Sequence, residues 1–237
     1  MKMWLWLPIV LCSIIVLIIQ KNVAKTLIKP SLVIGIFAGA ARLWFALENG
    51  DASPVLVFFE YASLTWLAAL AGLSLCERIP IPGIFSKSPM SKQLIYIGLF
   101  GLLVVAVNGM MLVQTAKAGS LPQWLLDIRS ISHLTAIALQ AGLVEETIFR
   151  LLFLPFIFWL LLLLRRETKP TKLTEFLAVL MAAAIFGSIH GQGFAGAMIF
   201  GVAFGYFFLQ FGWYPCVIVH FVGNFFPFLV ALKVHGS

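Results

Sequence analysis

Between Phe176 and Leu232 the chain contains no Asp, Glu, Lys or Arg. A run of that length without a charge is far longer than one buried helix of a soluble domain needs, and the solvent that suits it is a lipid bilayer. The remainder continues the pattern. Of all residues 62% are hydrophobic and 11% charged, against roughly 25% charged in an average soluble domain. The chain therefore reads as an all-α, polytopic membrane helix bundle. At about 20 apolar residues per crossing, its 237 residues hold about eight transmembrane helices and leave no room for a soluble domain.

Turn and charge signals such as Lys29-Pro30, Asn49-Gly50-Asp51, Ile81-Pro82-Gly83 and Lys169-Pro170 separate the apolar runs. The expected spans are 3–20, 31–48, 54–76, 93–115, 131–164, 173–190, 194–211 and 215–232. The first run meets Gln20-Lys21-Asn22 without a small-residue cleavage site, so it is expected to be retained as a span. Loops 21–30, 77–92 and 165–172 then carry three, three and four Lys/Arg. The opposite face carries Lys2, Lys117, Arg129 and Lys233, so the positive-inside rule puts both termini outside the cytoplasm. Basic residues gathered in loops explain the net charge of +7 and remove the case for nucleic-acid binding. Cys12, Cys76 and Cys216 lack metal or disulfide spacing and read as small buried hydrophobes.

The fifth run is too long for one simple crossing, since as a straight α-helix it would extend about 51 Å. Pro155 is the expected breakpoint, and whether the run crosses once or twice is open. The H-G-Q-G turn at His190–Gly193 is expected to border a cavity, because non-helical polar backbone at membrane depth needs protein or water around it.

Ionisable groups at that depth are costly and therefore candidates for function. Glu145 and Glu146 are adjacent, and Arg150 shares a helical face with Glu146 at i, i+4. Arginine beside one carboxylate leaves the other available as a base toward water. His190 and His220 are possible partners, and Asn224 lies one turn beyond His220, where an imidazole and an amide can face one oxyanion. Alternatively, Glu145, His190 and His220 form a ligand set suited to zinc with an open fourth position. Arg42 and Glu60 read as a polar contact between helices or as cavity lining.

In order, Glu145-Glu146-x-x-x-Arg150, Phe186-x-x-x-His190 and His220-x-x-x-Asn224 resemble the motifs of the CPBP family, the CAAX-protease and bacteriocin-processing membrane proteins also called Abi proteins. The likeness covers residues 130 to 232. It implies N-terminal transmembrane helices over 1–129 and a catalytic helical core over 130–237. It also implies an intramembrane endopeptidase acting on a membrane-associated substrate, CAAX-like, lipidated or transmembrane, in what is expected to be a prokaryotic cytoplasmic membrane. Glu145 and His190 would activate water, Glu146 and Arg150 would support Glu145, and His220 with Asn224 would hold the oxyanion. No cofactor is required by this scheme, although divalent zinc fits the same residues. Leu151 departs from the glycine that commonly follows the motif arginine. A transporter or proton relay, or a non-catalytic immunity or scaffold protein, are the competing readings.

Overall fold

The computed structural model describes residues 6–119, 121 and 123–235. Lys2, the start of the first expected span and the side chain of Lys233 lie outside the described part. Eight main helices follow one another: α1 (Trp6–Ile19), α2 (Lys21–Asn49), α3 (Pro54–Arg78), α4 (Met90–Lys117), α5 (Ile131–Leu164), α6 (Lys172–Ser188), α7 (Phe194–Phe211) and α8 (Trp213–His235). No strand occurs among the described residues. α2, α3, α4, α5, α7 and α8 are long and apolar enough to cross a bilayer. With 14 and 17 residues, α1 and α6 reach only about 21 and 26 Å at 1.5 Å per residue.

The expected loop at 21–30 is helical. α2 begins at Lys21, so Lys21, Lys25 and Lys29 ride on its first turns, and Pro30 lies within it. The helix continues through the proline, which leaves the Thr26 carbonyl without its helical donor, and beside that gap the Ser31 hydroxyl donates to the carbonyls of Leu27 at 2.7 Å and Ile28 at 2.9 Å. At its far end α2 stops at Gly50, whose left-handed φ of 71° closes the cap, and Pro54 opens α3.

α5 is the central element. In its most apolar window 67% of the residues are buried, whereas α4 has 11% and is mostly exposed. The helix does not break at Pro155. It runs once, unbroken, from Ile131 to Leu164, and its excess length is taken up by a wide π register over Ala141–Glu145 and Thr147–Phe153. Two local causes are visible. Thr147 Oγ1 donates to the Leu143 carbonyl at 2.6 Å, competing with the α-helical N–H for that acceptor. Pro155 has no N–H to give to the Leu151 carbonyl, and the ordinary helix resumes at Leu154.

α3 packs directly on this wide segment. Its small residues Ala68, Ala69, Ala71 and Gly72 are buried, and a Cβ on Gly72 would overlap the Leu151 carbonyl. Close approach through small residues is the usual way membrane helices gain contact. Here it places backbone against backbone beside the charged residues of α5.

Hydrogen bonds tie the start of α5 to α2, and the turn between α7 and α8 to the segment before α4. At the N-terminus of α5 Ser132 donates to Glu48 of α2, and Trp44 Nε1 reaches Ser132 Oγ at 3.1 Å. On the opposite side, the segment before α4 holds the α7–α8 turn through Trp213 N–H to Gly83 O at 2.9 Å and Tyr214 N–H to Ile84 O at 3.0 Å.

Candidate functional site

Glu146 and Arg150 occupy the most enclosed part of α5, with side chains 0% and 1% exposed. Arg150 Nε stands 3.3 Å from Glu146 Oε2. Its Nη atoms find no acceptor among the described residues. The guanidinium instead lies over the rings of Phe186 at 4.9 Å and Phe204 at 5.6 Å, where the negative ring faces offset part of the cost of burying the cation.

Glu146 has a second partner. His220 Nδ1 donates to its Oε1 at 2.7 Å, which leaves Nε2 as the nitrogen facing away. That atom is 3.9 Å from Glu145 Oε2. The separation exceeds a direct hydrogen bond, and Glu145 is 23% exposed. One carboxylate is thus consumed by structure while its neighbour is free to meet water. Phe204 braces both partners of Glu146, with its ring 5.5 Å from that of His220, and its carbonyl accepts the Cys216 thiol at 3.9 Å.

His190 follows the last turn of α6. Its Nδ1 bonds the Phe186 carbonyl at 2.8 Å, so the proton is assigned to Nδ1 and the lone pair to Nε2. The imidazole stacks on Phe186 at 4.6 Å, and the other contacts of that ring are Phe149 and Arg150. His190 therefore stands one aromatic ring from the buried pair. Gly191 and Gly193 of the following turn are exposed, with Gly191 at φ 59°, so the turn sits on the surface and is not enclosed in the bundle.

The structure accordingly brings Glu145, Glu146, Arg150 and His220 within mutual reach. Among the described residues, no hydrogen bond or ion pair joins His190 or Asn224 to Glu145. For zinc, Glu145, His190 and His220 do not assemble as a ligand set: no cluster of three or more His, Cys, Asp or Glu among the described residues is placed to hold a metal. The donors present do not fit that metal in this arrangement.

Arg42 makes its helix-to-helix contact with Tyr61 of α3, and no ion pair joins it to Glu60 among the described residues. Glu60 faces outward on α3, while the Arg42 guanidinium lies over Phe45 at 4.5 Å and Tyr61 at 5.0 Å. The sequence reading also passed over Asn108, Phe204 and Gly72. The signal for Asn108 was available in principle, as a lone amide in the apolar run of α4. Nothing in a single sequence distinguishes Phe204 from the chain's other phenylalanines.

The chain is thus a multi-pass helical membrane protein whose core buries an arginine-bound glutamate against a histidine, with a second glutamate beside them. Residues 127–226 match the family model described as Rce1-like, type II CAAX prenyl endopeptidase. The match spans 100 of the 237 residues and is consistent with a CPBP-family intramembrane protease. All seven motif residues, from Glu145 to Asn224, fall inside the matched segment. No curated protein and no solved structure matches the chain.

Proposed function

We propose that the chain is an intramembrane endopeptidase that hydrolyses a peptide bond of a CAAX-like, lipidated or transmembrane substrate, with Glu145 as the base for the attacking water. The observation that carries this reading is the division of labour between neighbours. Glu146 is held by Arg150 and His220, whereas Glu145 is bound by neither and lies 3.9 Å from His220 Nε2.

Glu145 takes a proton from water, the resulting hydroxide adds to the scissile carbonyl, and the C–N bond breaks as Glu145 returns that proton to the leaving nitrogen. His220, doubly protonated and fixed through Nδ1, offers Nε2–H to the developing oxyanion, and Asn224 on the same face of α8 supplies a second donor. His190 keeps Nε2 free and closes on Glu145 when substrate is present, since catalytic hydrogen bonds commonly tighten only in the complex.

The test uses purified protein in bilayers, with a prenylated C-terminal peptide and a transmembrane peptide as substrates and mass spectrometry to locate the cut. The expected result is cleavage that Glu145→Gln and His190→Ala each abolish, in protein that needs no bound metal. Full activity in Glu145→Gln refutes the assignment. One equivalent of zinc, with cleavage lost to chelation and restored by zinc, refutes the metal-free route.

A further inference from the structure

Pro227 lies inside α8. Having no N–H, it cannot close the α-helical bond to the carbonyl four residues earlier, that of Gly223. A carbonyl opened in this way at membrane depth needs another donor, because hydrocarbon supplies none. The donor comes from a different helix. Asn108 Nδ2 of α4 reaches the Gly223 carbonyl at 3.0 Å.

The surroundings are shaped for this contact. Gly101, Val104, Asn108 and Met111 fall on one stripe of α4. Gly101 stands against Val222, and Met111 stands against Gly196 of α7. Val104 fills the space that any side chain at position 223 would need. α4 is otherwise the least buried of the candidate spans, and this stripe, together with Tyr96 and Phe100 against the phenylalanines of α7, is its hold on the bundle.

Gly223 also lies between His220 and Asn224 in sequence. His220 pins α8 to α5 through Glu146, and Asn108 pins the next turn to α4. We infer that Asn108 is a positioning residue for hydrolysis: by satisfying the carbonyl that Pro227 opens, it holds the turn of α8 that presents Asn224, without touching substrate itself. This inference rests on the peptidase reading and on the oxyanion role proposed for Asn224.

The test is a cycle in the full-length protein reconstituted in bilayers: wild type, Asn108→Leu, Pro227→Ala and the double variant. Each is followed by kcat, KM and the unfolding midpoint. Asn108→Leu is expected to lower kcat about ten-fold with KM nearly unchanged, the size of one lost interhelical hydrogen bond. That loss is smaller than the roughly 10²–10³ expected when an oxyanion donor itself is removed. In the Pro227→Ala background a backbone N–H is available to Gly223, so Asn108→Leu should there leave the unfolding midpoint unmoved and recover most of the kcat.

Wild-type kcat in folded Asn108→Leu, a loss confined to KM, or a double variant no better than the single one would overturn the inference. Should Asn108→Leu fail to fold, recovery of folded protein in the double variant supports it, and failure of both overturns it. A wild type that cleaves no substrate refutes the peptidase reading instead, and the unfolding cycle still decides whether Asn108 and Pro227 are coupled.

Discussion

Gly72→Ala adds one methyl group where α3 meets the wide segment of α5, and the structure fixes what that methyl strikes. An added Cβ would overlap the carbonyl of Leu151 and stand 3.1 Å from the nitrogen of Leu152. These are backbone atoms, so no side-chain rotation relieves the clash. Ordinary carbon contacts lie near 3.5–4.0 Å, and the two helices must therefore separate by about 1 Å or more. Overpacking of this sort costs about 1–3 kcal/mol. The larger effect falls on chemistry, because Leu151 follows Arg150 directly and a misplacement of about 1 Å in an active site can cost 10²-fold in rate. The assay pairs turnover of a membrane peptide with the midpoint of thermal unfolding. Gly98→Ala is the control, since nothing lies within 4 Å of its added Cβ, and it should change neither quantity. If Gly72→Ala matched wild type in both, the claim that α3 positions the charged segment of α5 would be wrong.

Glu146→Ala leaves the Arg150 guanidinium fully buried without its carboxylate and should destabilise the protein by about 3–5 kcal/mol. Replacing both residues by leucine should restore much of the unfolding midpoint and none of the activity. Asn224→Ala should lower turnover roughly 10²–10³-fold with little change in stability, and a fold-change below that range would argue against its oxyanion role. Before α6, the hydrogen bond from Thr174 and then the Arg165 guanidinium hold the Glu167 carboxyl below its ordinary range. A depressed folded value means that this contribution is complete above the unfolded value of about 4.3. It is lost as pH falls through the folded value. Protection against hydrogen exchange at the start of α6, taken relative to the intrinsic rate at each pH, should therefore fall on acidification, and Glu167→Gln should remove that pH dependence.

The apolar runs announce the helices because hydrocarbon leaves the backbone no other economical partner, and so the positions of α3, α4, α7 and α8 are close to those expected. The start of α2 was missed because charge and proline at 21–30 look like a loop, while the helix continues through Pro30. Pro155 marked a real irregularity in α5, but a register change needs Thr147 and Gly72 to be understood, and both act through contacts that spacing does not reveal. Within the site, i, i+4 geometry identified the Glu146–Arg150 pair. It could not show that His220 would choose Glu146 over Glu145, because that depends on how α8 leans across α5.

The wide register of α5 turns its residue count into a ruler. Ser132 at one end is bound to Glu48, and the carbonyl of Leu151 at the other lies under Gly72. Deleting a single residue between them, such as Leu143, with the register otherwise kept would rotate one end against the other by about 100°. Either the Glu48 clasp or the meeting of Glu145 with His220 would then be lost. Substitutions in this stretch are constrained by volume, whereas insertions and deletions are constrained by phase, and a chain of this kind can change many of its apolar side chains there more easily than it can change their number.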